Sequence, residues 1–249
     1  MKIQWSKWIF VVLVTEGCSF GLIQTVPGNI PYSLKPMSMV DGSNQICKAN
    51  LSIPEHVQAL SLPHACRLLN TGATVLVSSA HSGKSNIMAA AWNMPVDFDP
   101  PKLAVIVDKT TFTRTLIEAS GEFALCIPPL GLADLAFTVG SCSGRDLEAG
   151  DKFERFGIET FEASCISAPL VRGCVGWLEC KLITERHTQD AYDLVIGEVV
   201  AAWADSRAFA DGRYRPVDEI PPALRTIHHL GSGQFVVPGQ QVQARAQPL

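Results

Sequence analysis

Nowhere does the sequence run through about eighteen consecutive apolar residues, the length a membrane-spanning helix needs. Charge of one sign is also scarce. Twenty Lys+Arg against 24 Asp+Glu leave a net charge of -4, so no basic excess exists to grip nucleic acid through its phosphates. Heptads are missing, as is any repeat of about 20 to 50 residues, which excludes coiled coils and solenoids. None of the eight cysteines forms a C-x-x-C pair, and the six histidines show no ligand spacing, so no metal site is expected. There is no G-x-S-x-G nucleophile elbow. What the chain does have is apolar surface. With 47% hydrophobic and 18% charged residues over 249 positions, it can build a full core, and disorder is excluded for its body.

Several cysteines sit inside apolar runs, as Cys126 does in Phe123–Ile127 and Cys180 in Trp177–Leu182. Such thiols are expected to be buried and reduced, which points to a reducing, cytoplasmic compartment. Residues 1–50 differ from the rest. Lys2 and Lys7 precede the apolar run Trp8–Val14, as in a signal peptide, but Glu16 sits where cleavage would need small residues. The segment is therefore expected to be an N-terminal extension, signal-like or disordered, with Met37 or Met39 as alternative starts. The domain is expected over 51–249.

Within that domain, Thr74–Ala80 is β-branched and apolar and predicts a strand, with a turn at His81–Lys84. Ser85–Trp92 fits a strand or a short helix. Lys102–Asp108 predicts a buried strand. Thr110–Ser120 predicts a helix with Phe112, Leu116 and Ala119 on one face and Gly121 as its stop. Phe123–Ile127 reads as a strand and Leu132–Val139 as a short helix. A Gly/Ser/Asp-rich loop spans 140–151. Val171–Arg186 and Tyr192–Ala204 read as two long strands around a turn at His187–Ala191. Many strands, few short helices and no regular β-α alternation predict a mainly β fold, an antiparallel barrel with inserted helices.

One near-match has to be weighed. Ser78–Ser85 resembles a phosphate-binding G-x-x-x-x-G-K-[ST] loop after a strand, and Leu103–Asp108 resembles the strand that would place a magnesium carboxylate. The first glycine is replaced by Ser78, and Pro95 cuts short the helix that should follow. A hairpin turn at Gly83 is the plainer reading, with a P-loop nucleotidase kept as an alternative.

Two clusters carry candidate chemistry. Lys109, Thr110, Thr111, Thr113 and Arg114 gather hydroxyls and two cations at a predicted helix start. That corner serves either a phosphate or an ordinary capped first turn. Asn86–Trp92, with Ala89, Ala90 and Ala91 in succession, admits a flat ring close to the backbone, or is simply a packed strand.

Four stretches taken in order bear on these alternatives. They are Ser85–Trp92 with Pro95–Pro101; Leu103–Val107 with Thr113–Ile117; Ser143–Asp146 with Asp151–Phe153; and Arg225–Gly231 with Gly233–Phe235. Together, over roughly residues 55 to 240, they resemble the flavin reductase-like family of FMN-binding split barrels, close to flavoredoxin. The resemblance implies a homodimer holding FMN at or near the subunit interface. NADH or NADPH would reduce the flavin, which passes electrons to a free flavin, an electron-acceptor protein or another acceptor. It implies that Asn86, Met88, Ala89, Ala90, Ala91 and Trp92 line the flavin ring. Lys109, Thr111, Thr113 and Arg114 would hold the phosphate, Ser141 would border the cofactor, and His228 and His229 would face the nicotinamide. Cys126 stands where relatives carry an asparagine that touches the ring, a hydrogen bond that a thiol replaces poorly. Arg145 and Lys152 are further phosphate candidates, or solvated loop charges. Hydride transfer between stacked rings needs position and dryness rather than a catalytic triad. An electron carrier without reductase turnover would need the same pocket.

Overall fold

The computed structural model describes residues 72–147 and 152–244, so the expectations for residues 1–50 lie outside the described residues. The described residues open with a hairpin of β1 (Val75–His81) and β2 (Lys84–Ala90). The two linking residues, Ser82 and Gly83, both have positive φ, 49° and 74°, the tight turn that matches the twist of antiparallel strands. This removes the phosphate-loop alternative. Lys84 opens a strand, no helix follows, and the backbone N–H groups are spent on the β1–β2 ladder rather than turned inward around an anion.

Next come β3 (Asn93–Phe98), β4 (Pro101–Ile106), α1 (Phe112–Ser120) and β5 (Glu122–Ile127). Helix α1 begins two residues later than predicted because Thr111 is its cap, its hydroxyl accepting from the Arg114 N–H. Gly121, at φ 70°, ends it as expected. α2 (Ala133–Gly140) and α3 (Lys152–Arg155) follow, and then the short pair β6 (Thr160–Phe161) and β7 (Leu170–Val171). β8 (Gly176–Ile183), α4 (Arg186–Tyr192) and β9 (Leu194–Ala204) complete the large sheet. Two small hairpins close the chain: β10 (Phe209–Ala210) with β11 (Arg213–Tyr214), and β12 (His228–Gly231) with β13 (Gln234–Val236).

The region from 171 to 204 corrects the sequence reading. The strand expected from Val171 starts at Gly176, because Leu170–Val171 pair with Thr160–Phe161 instead. The expected turn at His187–Ala191 is the seven-residue helix α4. Its Gln189 is buried, its side-chain carbonyl accepts from the Glu185 N–H, and its backbone carbonyl accepts from Arg114 of α1. This anchor joins residues 75 positions apart and cannot be read from local composition.

The large sheet is antiparallel, in the order β2-β1-β5-β8-β9-β4-β3. β2 and β3 are its two edges, yet only Ala91 and Trp92 separate them in sequence, and that link spans at most about 11 Å. The sheet must therefore curl until its edges nearly meet. It forms a barrel split between β2 and β3, as the sequence predicted. β1 is buried on both faces. Val75 and Val77 join Val105, Phe123, Leu125 and Val195 in one core cluster, while Leu76 joins Ile87, Ala136, Val139 and Leu170 in another. Such two-sided burial explains why β1 reads as a continuous apolar run rather than an alternating one.

Gly197 in β9 lets the barrel wall close on itself. A Cβ there would run into the Phe123 ring and come 3.1 Å from the Cys180 Cβ. Gly197→Ala is expected to cost about 1–3 kcal/mol by overpacking. Urea unfolding measures it, and an unchanged midpoint would show that the wall gives way easily.

Among the described cysteines, Cys126, Cys174 and Cys180 are buried, Cys142 is half-buried and Cys165 is exposed, all as free thiols. A hydrogen bond with Cys126 and burial push the Cys174 thiol up, and burial does the same for Cys180. Both are protonated and inert at neutral pH. Among the described residues no helix is long and apolar enough to cross a membrane.

Candidate functional site

The last residues of β2 form the floor of a cavity of about 170 Å³. Ala89, Ala90 and Ala91 line it from below, and Ala136, Phe137, Gly140 and Ser141 of α2 and its cap line it from above. Small residues set this spacing. A Cβ on Gly140 would stand 3.1 Å from the Ala89 Cβ, so only glycine lets the end of α2 lie this close to β2. The third wall comes from the C-terminal hairpin. His229 and Phe235 face each other across β12 and β13, ring centres 5.2 Å apart. Gly233 turns that hairpin against Phe137, where a Cβ would lie 3.1 Å from the ring. The hairpin is fixed to the barrel by the Ala73–His228 bridge and by the Thr74 N–H, which donates to the Ile227 carbonyl at 2.9 Å.

The cavity is thus flat-floored, aromatic-walled and nearly free of charge. Its polar side chains are Thr74, Ser141 and His229. The Ser141 hydroxyl donates back to the Phe137 carbonyl at 2.7 Å. The Thr74 hydroxyl has no partner. Such a surface suits a planar heteroaromatic ring with a few polar atoms at its edge.

Five of the residues predicted from sequence meet here: Ala89, Ala90, Ala91, Ser141 and His229. The others lie elsewhere. Met88 packs on the core cluster of Val75 and Val77. Trp92 lines a neighbouring groove with Met94, Ala104 and Leu194. Cys126 is sealed in the core with Leu76 and Ile87, so the ring contact considered for it is not available. His228 lies one residue off the wall, its Nε2 3.5 Å from the Thr226 hydroxyl. Asn86 is buried at the far end of β2, its Nδ2 donating to the Thr113 hydroxyl at 2.8 Å.

The phosphate corner also needs correcting. Arg114 is 1% exposed, and its guanidinium is committed to the Glu118 carboxylate at 2.8 Å, the Val107 carbonyl at 2.8 Å and the Gln189 carbonyl at 3.0 Å. It is an internal strut between α1, the residue that follows β4, and α4. Thr113 is buried against Asn86. Thr111 caps α1 and donates to the Asp108 carbonyl. Lys109 reaches the Asp190 carbonyl at 3.3 Å. The cation over the first turn of α1 is Arg145 instead, donating to the Thr115 hydroxyl at 2.8 Å with its guanidinium carbon 6.0 Å from the Phe112 ring centre. Arg145 and Lys84 border an open cleft of about 1040 Å³. Lys152 is no phosphate ligand. At 2% exposure its ammonium donates to the Ile87 and Val139 carbonyls at 2.9 and 2.6 Å, and burial lowers its pKa.

Residues 66–218 match the family described as flavin reductase like domain. The chain belongs to the flavin reductase-like family. It is 46% identical over 188 residues to the uncharacterized protein YddH of Escherichia coli K12, covering 74% of this chain and 96% of that one. It is 28% identical over 129 residues, 52% of this chain and 70% of the other, to a flavin reductase of Pseudomonas putida. Among solved structures, an FMN-binding domain of a flavin reductases-like enzyme from Shewanella baltica superposes with a TM-score of 0.67 at 44% identity. The match covers 76% of this chain and 97% of that chain. The split barrel and the flavin reductase-like membership therefore stand together. Thr74, Phe137 and Phe235, which complete this family member's cavity, were missed as site residues. The signal for Phe235 was present in the Gly233–Phe235 stretch, whereas Thr74 looks like any strand-opening threonine.

Proposed function

We propose that this protein is an FMN-binding oxidoreductase that accepts electrons from NADH or NADPH and hands them to a free flavin or another acceptor. The observation that carries this reading is the alanine-floored cavity with aromatic walls and an unpartnered hydroxyl. FMN, when bound, supplies a ring that accepts hydride and releases electrons. The chain's own residues supply position and dryness. Ala89, Ala90 and Ala91 allow a ring to lie against backbone. Phe137 and Phe235 keep water from it. His229 presents an imidazole for a polar group of the incoming nicotinamide. Arg145, over the start of α1, would hold an anionic tail.

A cavity of about 170 Å³ takes little more than one ring, so a three-ring system must extend past its mouth. The rim beyond is apolar and exposed: Trp92 just before edge strand β3, and Met94, Val96 and Phe98 on it, Phe98 at 96%. An apolar edge of this kind is covered by a second copy of the chain in the proposed assembly, a homodimer with the ring between its subunits.

The visible spectrum of the purified protein tests the reading. A yellow protein whose flavin absorption bleaches anaerobically with NADH or NADPH is expected. A folded, colourless protein that ignores added FMN would refute it. Flavin that binds but never bleaches would identify an electron carrier without reductase turnover.

A further inference from the structure

Thr74 brings to the cavity a hydroxyl that nothing in the free protein satisfies. The residue is 3% exposed, its N–H is held by Ile227, and its Oγ1 is shut from solvent without a hydrogen-bond partner. Its neighbours on the wall include Ala89, Ala90, Phe137 and Phe235, which offer no side-chain acceptor, and the polar Ser141 and His229 make no hydrogen bond to it. A buried hydroxyl in this position is costly to folding. A site with only packing to do would be served by valine, which has nearly the same shape and no hydroxyl to desolvate.

We propose that Thr74 is a positioning residue for the planar ligand of this cavity. Rotation about χ1, which for a β-branched residue moves among a few wells, places Oγ1 against the ring's polar edge. There it donates to a carbonyl oxygen or an unprotonated ring nitrogen. The hydroxyl is satisfied only when the site is filled. The backbone beneath it does not move, because the Ile227 hydrogen bond and the adjacent Ala73–His228 bridge fix the strand start. The inference rests on the flavin reading of the cavity and adds the group that sets which edge of the ring faces inward.

The test compares wild type, Thr74→Val and Thr74→Ser as full chains. Lumiflavin, which is the ring without ribityl or phosphate, and FMN are titrated by fluorescence quenching, and the flavin-free proteins are melted. Thr74→Val is expected to weaken both flavins about tenfold, the loss of one hydrogen bond, with Thr74→Ser close to wild type. Flavin-free Thr74→Val is expected to melt a few degrees higher than wild type, because the unsatisfied hydroxyl is gone. A residue with only a structural role would not move stability and affinity in opposite directions. Equal binding by wild type and Thr74→Val, or a lower melting temperature for the flavin-free variant, overturns the assignment of Thr74 alone. A folded wild type that binds neither flavin overturns the reading of the cavity and this assignment with it.

Discussion

Ala91→Trp is expected to weaken FMN binding by about a hundredfold or more while shifting the melting temperature of the flavin-free protein only slightly. Ala91, which directly follows β2, is the last of the three floor alanines and also borders the groove of Trp92 and Met94. It is half-buried, so an indole at this position has room to project toward the mouth rather than into the core. There it would occupy space the ring needs. Losing about 120 Å² of apolar ring contact at about 25 cal/mol per Å² amounts to roughly 3 kcal/mol, or about two decades in the dissociation constant. Equilibrium titration with FMN gives the result directly. Undiminished binding would mean that the ring sits elsewhere, and the larger cleft beside Arg145 and Lys84 would become the place to look.

The same strand shows what sequence reasoning reaches and what it does not. The alanine run was visible because three small residues in succession are unusual inside a β segment. The antiparallel barrel was legible because strands outnumber helices and alternation of the two is missing, whereas its split was implied by the family resemblance alone. The corner at Lys109–Arg114 was misread for a physical reason. A sequence displays cations and hydroxyls but not where they are spent, and Arg114 is spent on the carbonyls of Val107 and Gln189 and on Glu118. Residue 145 replaces it through a contact between segments 30 positions apart. Met88 failed because its longer side chain is taken up by the core cluster of Val75, Val77 and Ala90, a packing that the strand's own pattern does not announce. Thr74 and Phe137 escaped because each becomes a site residue only when the C-terminal hairpin docks, which no local pattern announces.

Glu179→Ala is expected to destabilise the fold by about 3 kcal/mol, through a carboxylate that has nothing to do with the cavity. Glu179 lies in β8 at 0% exposure. Its Oε1 accepts from the Ser164 N–H at 3.0 Å, the Ser164 hydroxyl at 3.0 Å and the Trp203 indole N–H at 2.8 Å, and its Oε2 accepts from the Cys165 N–H at 2.6 Å. This carboxylate pins the loop that carries Ile166 and Ala168 into the core. Burial alone would raise its pKa, but the donors from Ser164, Trp203 and Cys165 more than offset this and hold it below the usual carboxylate range. The sign of the pH dependence follows. A carboxyl with a depressed folded pKa contributes stability that is fully present above its unfolded value, about 4.3, and that is lost as pH falls through the folded value. The gap between wild type and the neutral, near-isosteric Glu179→Gln is therefore expected to be full at pH 7 and to shrink steadily below about pH 4. Urea unfolding of both proteins across that range decides the matter. A gap of the same size at pH 7 and pH 3 would show that the shape of the side chain, and not its charge, holds the loop, because protonation would then have removed nothing that the amide lacks.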